Sequence, residues 1–156
     1  LNQTLVRDFQ IEQPKIAILA IDPHIGDGGV ISENDKKLII PAVKKMQDSG
    51  NLVCGPFSAD SFFGSEEYKK YDLIIAAYHD QGLIPFKTLS FGMGVNYTSG
   101  LERIRTSPDH GTAYSIAGKG VASTDSFLSS IYLAIDVFRR RKIYDEFSKN
   151  KLETPQ

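Results

Sequence analysis

The apolar positions of the chain fall into short runs separated by polar, glycine-rich segments. Leu1, Leu5, Val6 and Phe9 are spaced as on one face of a helix. Pro14 ends that pattern, and residues 15–21 (KIAILAI) follow as a nearly unbroken apolar run. Such a run predicts a strand covered on both faces, as in a parallel α/β sheet. Residues 22–29 (DPHIGDGG) are too polar and too rich in glycine to be other than a loop. Ser32 reads as the cap of a helix that runs to about Ser49, with Glu33 and Asp35 at its positive end. Pro41 should break or kink it. Residues 52–54 predict a second strand, 55–60 a loop, 65–70 a short helix and 72–77 a third strand; Phe62 and Phe63 are candidate core residues. Strand, helix, strand, helix, strand at this spacing argues right-handed βαβ units.

Beyond Lys87 the texture changes. Residues 94–98 have β character, residues 103–106 read as a further short strand, and residues 107–113 form a polar loop leading into a helix over about 112–117. Gly118 and Gly120 end that helix. Thr124 or Asp125 caps a last helix to about residue 141, in which Phe127, Ile131, Leu133, Ala134, Ile135, Val137 and Phe138 cover a wide arc. The tail from about Ser148 is polar and predicted to be disordered.

With 156 residues the chain is long enough for a proper core, and 24% charged residues with a net charge of −1 leave no electrostatic footprint for nucleic acid or an anionic membrane. The basic run Arg139, Arg140, Arg141 and Lys142 reads as the solvated end of a helix. Cys54 is alone, so neither a disulfide framework nor a thiolate metal site is implied; it reads as a buried strand residue, and a cytoplasmic setting fits. No apolar run is long enough to span a bilayer. The opening at Leu1, without methionine and in the middle of a helical pattern, suggests a piece of a longer polypeptide.

The candidate chemistry lies where strands end. Residues 77–87 (AYHDQGLIPFK) follow the third strand and bring His79, Asp80 and Lys87 to the carboxyl edge of the sheet, where open α/β folds bind ligands. His24 follows the first strand and reaches the same edge, so His24 and His79 are expected close enough to share one divalent cation, zinc or another borderline metal. His79 is also a possible proton carrier that Asp80 orients. His110 offers a third ligand, but its setting, Asp109-His110-Gly111-Thr112-Ala113 ahead of a helix, suits a nucleotide or phosphate instead. Lys87, Arg103 and Arg105 would favour an anionic substrate such as a phosphate ester. Neither glycine cluster, at 26–29 or 92–94, has the spacing of a dinucleotide fingerprint or P-loop, and no serine has the setting of a hydrolase nucleophile.

Taken in order, the motifs at 23–29, 55–56 with 59–60, 78–82, 94–96, 104–107 and 109–113 resemble the carboxy-terminal half of the 4-hydroxythreonine-4-phosphate dehydrogenase family, over about residues 8–141. Asp22 stands where asparagine is common in that family, and Asp27 where glutamate is frequent. The resemblance implies an isocitrate/isopropylmalate dehydrogenase-like α/β fold: three layers, with a mixed, largely parallel sheet flanked by helices. Residues 1–123 would contact metal, substrate and NAD and carry the dimer contact, and residues 124–156 would form a terminal helix against the other half, plus the tail. It further implies a homodimer whose active site draws on both subunits, and His24 and His79 as two of three metal ligands. The metal would be zinc, alternatively magnesium or cobalt. Lys87, Asn96 and Arg105 would contact a phosphorylated substrate; Lys87 would carry the proton, with Asp80 beside it, and Asp109, His110, Gly111, Thr112 and Ala113 would lie along NAD. The implied reaction oxidises 4-phosphooxy-threonine to a β-keto acid that loses carbon dioxide, in pyridoxal phosphate biosynthesis. Two alternatives remain: a sister dehydrogenase acting on threonate or erythronate 4-phosphate, and a non-catalytic phosphate- or metal-binding or dimerisation module.

Overall fold

A computed structural model describes residues 1–149. The described residues form two compact units: Gln13–Leu89, and Leu1–Glu12 together with residues 90–149. The boundary expected after residue 123 coincides with neither joint.

The first of these units is built on three parallel strands, β1 (Lys15–Leu19), β2 (Leu52–Phe57) and β3 (Leu73–Ile75), in the order β2-β1-β3. Ile16 pairs with Val53 on one side and Leu73 on the other. The unbroken apolar run of β1 is explained by its central place, because both of its faces are covered. Ile16 and Ile18 pack with Val43 of helix α2 (Ile40–Asp48), while Ala17 and Leu19 pack with Phe62 of helix α3 (Ala59–Gly64). Phe57, Phe63 and Tyr71 complete the aromatic side of that second cluster. The result is helix, sheet, helix in three layers, as expected for an α/β unit.

The segment before α2 differs in detail from the expected helix. Residues Asp35–Ile39 wind as a single wide π-type turn, and the α-helix proper starts at Ile40. Pro41 therefore sits in its first turn, where the missing N–H leaves nothing unpaired and no break results. Gly55 shows how closely β2 passes β1: its φ is +137°, and a Cβ there would lie 2.4 Å from the Ile18 carbonyl oxygen. Cys54 is exposed rather than buried. Val53 takes the inward position in this edge strand, so alternation turns its neighbour outward. The expected helix over 65–70 is a 3-10 turn, Glu67–Lys70, placed after α3. His79, expected in a loop, opens helix α4 (His79–Ser90).

In the other unit α1 (Asn2–Phe9) and the long helix α5 (Asp125–Ser148) pack together, and α5 covers an antiparallel pair, β4 (Val95–Tyr97) and β5 (Thr106–Pro108). The strand expected over 103–106 is thus shifted toward the carboxyl end; the parallel, helix-flanked sheet is present as expected, and the antiparallel pair forms a separate two-stranded sheet. Ser126 explains the packing: its hydroxyl donates to the Gly94 carbonyl at 2.8 Å and accepts the Asp109 N–H at 3.0 Å. Thr124 occupies the cap position of α5 without a side-chain capping bond. Arg141, expected on a solvated helix end, is only 7% exposed and is bound to Asp8. The polar tail lies, beyond Lys149, outside the described residues. Among the described residues no helix is long and apolar enough to cross a membrane.

Candidate functional site

At the carboxyl edge of the parallel triplet, the end of β1 is held by one more backbone bond, from the Ala20 N–H to the Phe57 carbonyl at 2.8 Å, and by buried side chains. The Asp35 carboxylate, fully buried, accepts the N–H groups of Ile21 at 2.8 Å and Asp22 at 3.0 Å. Ser32 donates its hydroxyl to the Asp22 carboxylate and accepts the Asn34 N–H. From this anchored end the chain enters an unusual conformation. His24, Ile25, Gly26, Asp27 and Gly28 all have positive φ, at 53°, 57°, 78°, 45° and 63°, one turn of left-handed backbone. For the three residues among them that carry a Cβ this costs roughly 1–2 kcal/mol each. Strain of that kind persists where surrounding structure over-determines it, and it clusters at functional sites. Gly26 is obligatory here, because a Cβ would meet the Ser32 carbonyl oxygen at 2.4 Å.

His24 lines a cavity of about 230 Å³ together with Asp22, Ser58, Asp60, Tyr78 and Gln81. Hydrogen bonds from the Ser58 hydroxyl, at 2.8 Å, and from the Ser61 backbone hold the Asp60 carboxyl below its usual range, with the nearby His24 contributing less. A wider, more apolar cavity of about 620 Å³ adjoins it, sharing Asp60, Tyr78 and Gln81 and reaching Asp80 and α4. His79 lies outside the smaller cavity. Its Nδ1 is 2.7 Å from the Asp80 carboxylate, and both side chains are more than two-thirds exposed, at 78% and 71%. The structure therefore brings His24 beside Asp60, and His79 beside Asp80, on one edge of the sheet.

The metal expectation can be weighed against these donors. His24 and His79 are imidazoles of the right kind for a borderline divalent cation. In number they fall short: among the described residues no group of three or more His, Cys, Asp or Glu is disposed to hold a metal ion. Lys87, on α4, is exposed. Asn96 and Arg105 belong to the other unit, where both are exposed. There Asn96 pairs with Ser107, and Thr98 with Arg105, so Asn96 and Arg105 share one face of the β4–β5 ladder. The Arg105 guanidinium donates to the Thr98 hydroxyl at 2.9 Å.

The Asp109–Ala113 segment departs from expectation. Asp109 is tied back through its N–H to Ser126, and His110 Nδ1 lies 3.1 Å from the Gly111 carbonyl. The helix expected over 112–117 is a single 3-10 turn, Tyr114–Ile116, entered from a left-handed Ala113. So short a turn has no macrodipole to offer an anion, and the helix-terminus argument for this loop fails. Sequence reading gave Asp35 only a place at a helix start, and gave Ser58, Asp60 and Gln81 no role. For Ser58 and Asp60 the signal was present, since they follow β2 as His24 follows β1.

An open parallel sheet with a strained, histidine-bearing loop and polar side chains at its carboxyl edge has the architecture of a ligand-binding α/β fold. The family is more specific: the model described as "Pyridoxal phosphate biosynthetic protein PdxA" matches residues 1–134, and the chain belongs to that family. Over 141 residues, 90% of the chain, it is 55% identical to a 4-hydroxythreonine-4-phosphate dehydrogenase of Bacteroides thetaiotaomicron. The corresponding protein of Prosthecochloris aestuarii is 51% identical over 88% of the chain. A crystal structure of 4-hydroxythreonine-4-phosphate dehydrogenase from Klebsiella pneumoniae superposes with a TM-score of 0.73 over 87% of the chain, at 40% identity. The chain spans 39%, 40% and 41% of the lengths of these three proteins, respectively.

Proposed function

We propose that this chain contributes part of the active site of an NAD- and metal-dependent dehydrogenase that oxidises 4-phosphooxy-threonine. The observation that carries this reading is the 55% identity, over 90% of the chain, to a protein bearing the name of that activity. The carboxyl-edge geometry supports it, with polar side chains gathered where an α/β sheet presents its ligand crevice.

In this reading His24 and His79 are ligands contributed to a divalent metal, which when bound lowers the pKa of the substrate hydroxyl. His79 lies outside the cavity of His24, which accords with an active site that draws on two subunits of a homodimer. Asp80, 2.7 Å from His79 Nδ1, orients that imidazole, and Asp60 stands beside His24. Lys87 would take the hydroxyl proton, and NAD, when bound, would supply the hydride acceptor. The resulting β-keto acid breaks its bond to the carboxylate, releases carbon dioxide, and gains a proton at that carbon to give 3-amino-2-oxopropyl phosphate. Asn96 and Arg105, on one ladder face, bind the phosphate. Asp109, His110, Gly111, Thr112 and Ala113 line the cofactor through backbone groups rather than a helix end.

The test is NADH formation by the natural protein with 4-phosphooxy-threonine, set beside threonate and erythronate 4-phosphates. Faster turnover of a sugar-acid phosphate would assign the sister activity instead. The 156-residue chain alone is expected to be inactive, because its described donors do not complete a metal shell.

A further inference from the structure

The ladder between β1 and β3 ends at Ile18 and Ile75, two residues before the in-register pair Ala20 and Ala77. At that next position the strands are joined by a side chain. Gln81 Nε2 donates to the Ala20 carbonyl at 2.6 Å, and its Oε1 accepts the Ala77 N–H at 2.7 Å. Gln81 is 8% exposed and Ala20 1%, so neither partner on that side is served by bulk water. The amide acts as a substitute peptide group where the strands separate. Glutamine fits because one end must donate and the other accept, which neither a carboxylate nor an alkyl chain does.

What this bridge holds is the site itself. Ala20 lies four residues before His24, with Ile21 and Asp22 clamped between them by Asp35. Gln81 is the third residue of α4, directly after His79 and Asp80, and it lines both cavities. We propose that Gln81 is a positioning residue, whose intercalated amide sets the separation between the His24 loop and the His79–Asp80 helix start. The inference rests on the proposed dehydrogenase reading for its catalytic consequence, but not for its structural one.

The test uses Gln81→Met and the isosteric Gln81→Glu in the natural protein. Gln81→Met removes both bonds. It should speed exchange of the Ala77 amide by at least ~10-fold, and shift the ring NMR signals of both His24 and His79 while leaving His110 unmoved. Its kcat should fall by ~100-fold with KM changed far less, the scale of a misplacement of about 1 Å. Gln81→Glu keeps the acceptor for Ala77 but sets a carboxylate oxygen against the Ala20 carbonyl. Ala77 should then stay protected, and His24 should shift more than His79. Variants that melt earlier yet keep wild-type kcat and unshifted histidine signals would overturn the proposal, and so would equal shifts of both histidines in Gln81→Glu. If the wild-type protein oxidises none of the phosphorylated acids, the dehydrogenase reading fails separately, and the exchange and ring signals still decide the role of Gln81.

Discussion

Arg141 grips Asp8 at two points, Nε to Oδ1 at 2.7 Å and Nη2 to Oδ2 at 2.9 Å, joining the long terminal helix to the first helix of the same unit. The rest of its guanidinium is used as well: Nη1 donates to the carbonyls of Leu101 at 3.1 Å and Glu102 at 2.8 Å, and Nη2 lies 3.1 Å from the Tyr97 hydroxyl. Tyr97 in turn donates to the Asp8 carboxylate. Removing one partner of a buried pair leaves an uncompensated charge. Arg141→Met should therefore destabilise this unit by about 3–5 kcal/mol in urea unfolding, whereas Arg139→Ala on the exposed side should stay within about 0.5 kcal/mol.

The same cluster sets a pH dependence. Burial disfavours the charged Asp8, but hydrogen bonds from Arg141 and Tyr97 outweigh it and hold the carboxyl below its usual range. A carboxyl lowered from an unfolded value of about 3.9 contributes stability above that pH, and loses it as pH falls through the folded value. The urea midpoint should decline below pH ~4, and Asp8→Asn should flatten that decline. On the alkaline side, burial and a hydrogen bond with Cys54 push Tyr71 up to about 12. A raised tyrosine contributes below its unfolded value of about 10 and loses the contribution as pH climbs through the folded one. Tyr71→Phe should flatten stability between those two limits.

The parallel triplet was legible because its central strand is buried on both faces, a pattern that leaves an unbroken apolar run in the sequence. Phe62 was legible as core because two large aromatic residues, Phe62 and Phe63, stand together after a strand. Arg141 was not, because a basic run at a helix end looks solvated, and only the buried Asp8 more than a hundred residues away makes one of its members structural. His24 and His79 were readable as residues at strand ends. The pairing of His79 with Asp80 was legible too, from their adjacency, but that His79 stands outside the cavity of His24 depends on side-chain direction, which spacing does not encode. Gln81 falls within the 77–87 stretch, but its bridging role was not legible, because a glutamine in a polar stretch carries no periodic signal.

The left-handed turn of residues 24–28 gives a graded expectation for its glycines. Gly26→Ala meets both a positive φ of 78° and a Cβ contact of 2.4 Å with backbone, so the loop must shift. Gly28→Ala has the same strain, at φ 63°, but open space around the new methyl. The second substitution should cost about 1–2 kcal/mol, and the first clearly more. Thermal unfolding of the two variants side by side is the check; equal losses would mean that the close approach to Ser32 is not maintained in solution.

The exposed side of α5 leads to the last expectation. Phe127, Ile131, Ile135 and Phe138 recur at helical spacing and are 54%, 41%, 40% and 63% exposed. The opposite side is spent inside its own unit, where Ser126, Ser130, Val137 and Arg141 are buried. One face of the helix therefore serves the fold, and the other leaves a continuous apolar stripe in water, which soluble chains rarely tolerate. We expect a second copy of the chain to cover it. Sedimentation of the 156-residue chain at micromolar concentration should show self-association, and Ile131→Glu with Ile135→Glu should remove the contact made through α5, lowering the apparent mass without unfolding, since neither residue is buried in the described fold. A wild-type chain that sediments as a monomer, with these four side chains solvated, would sink the expectation.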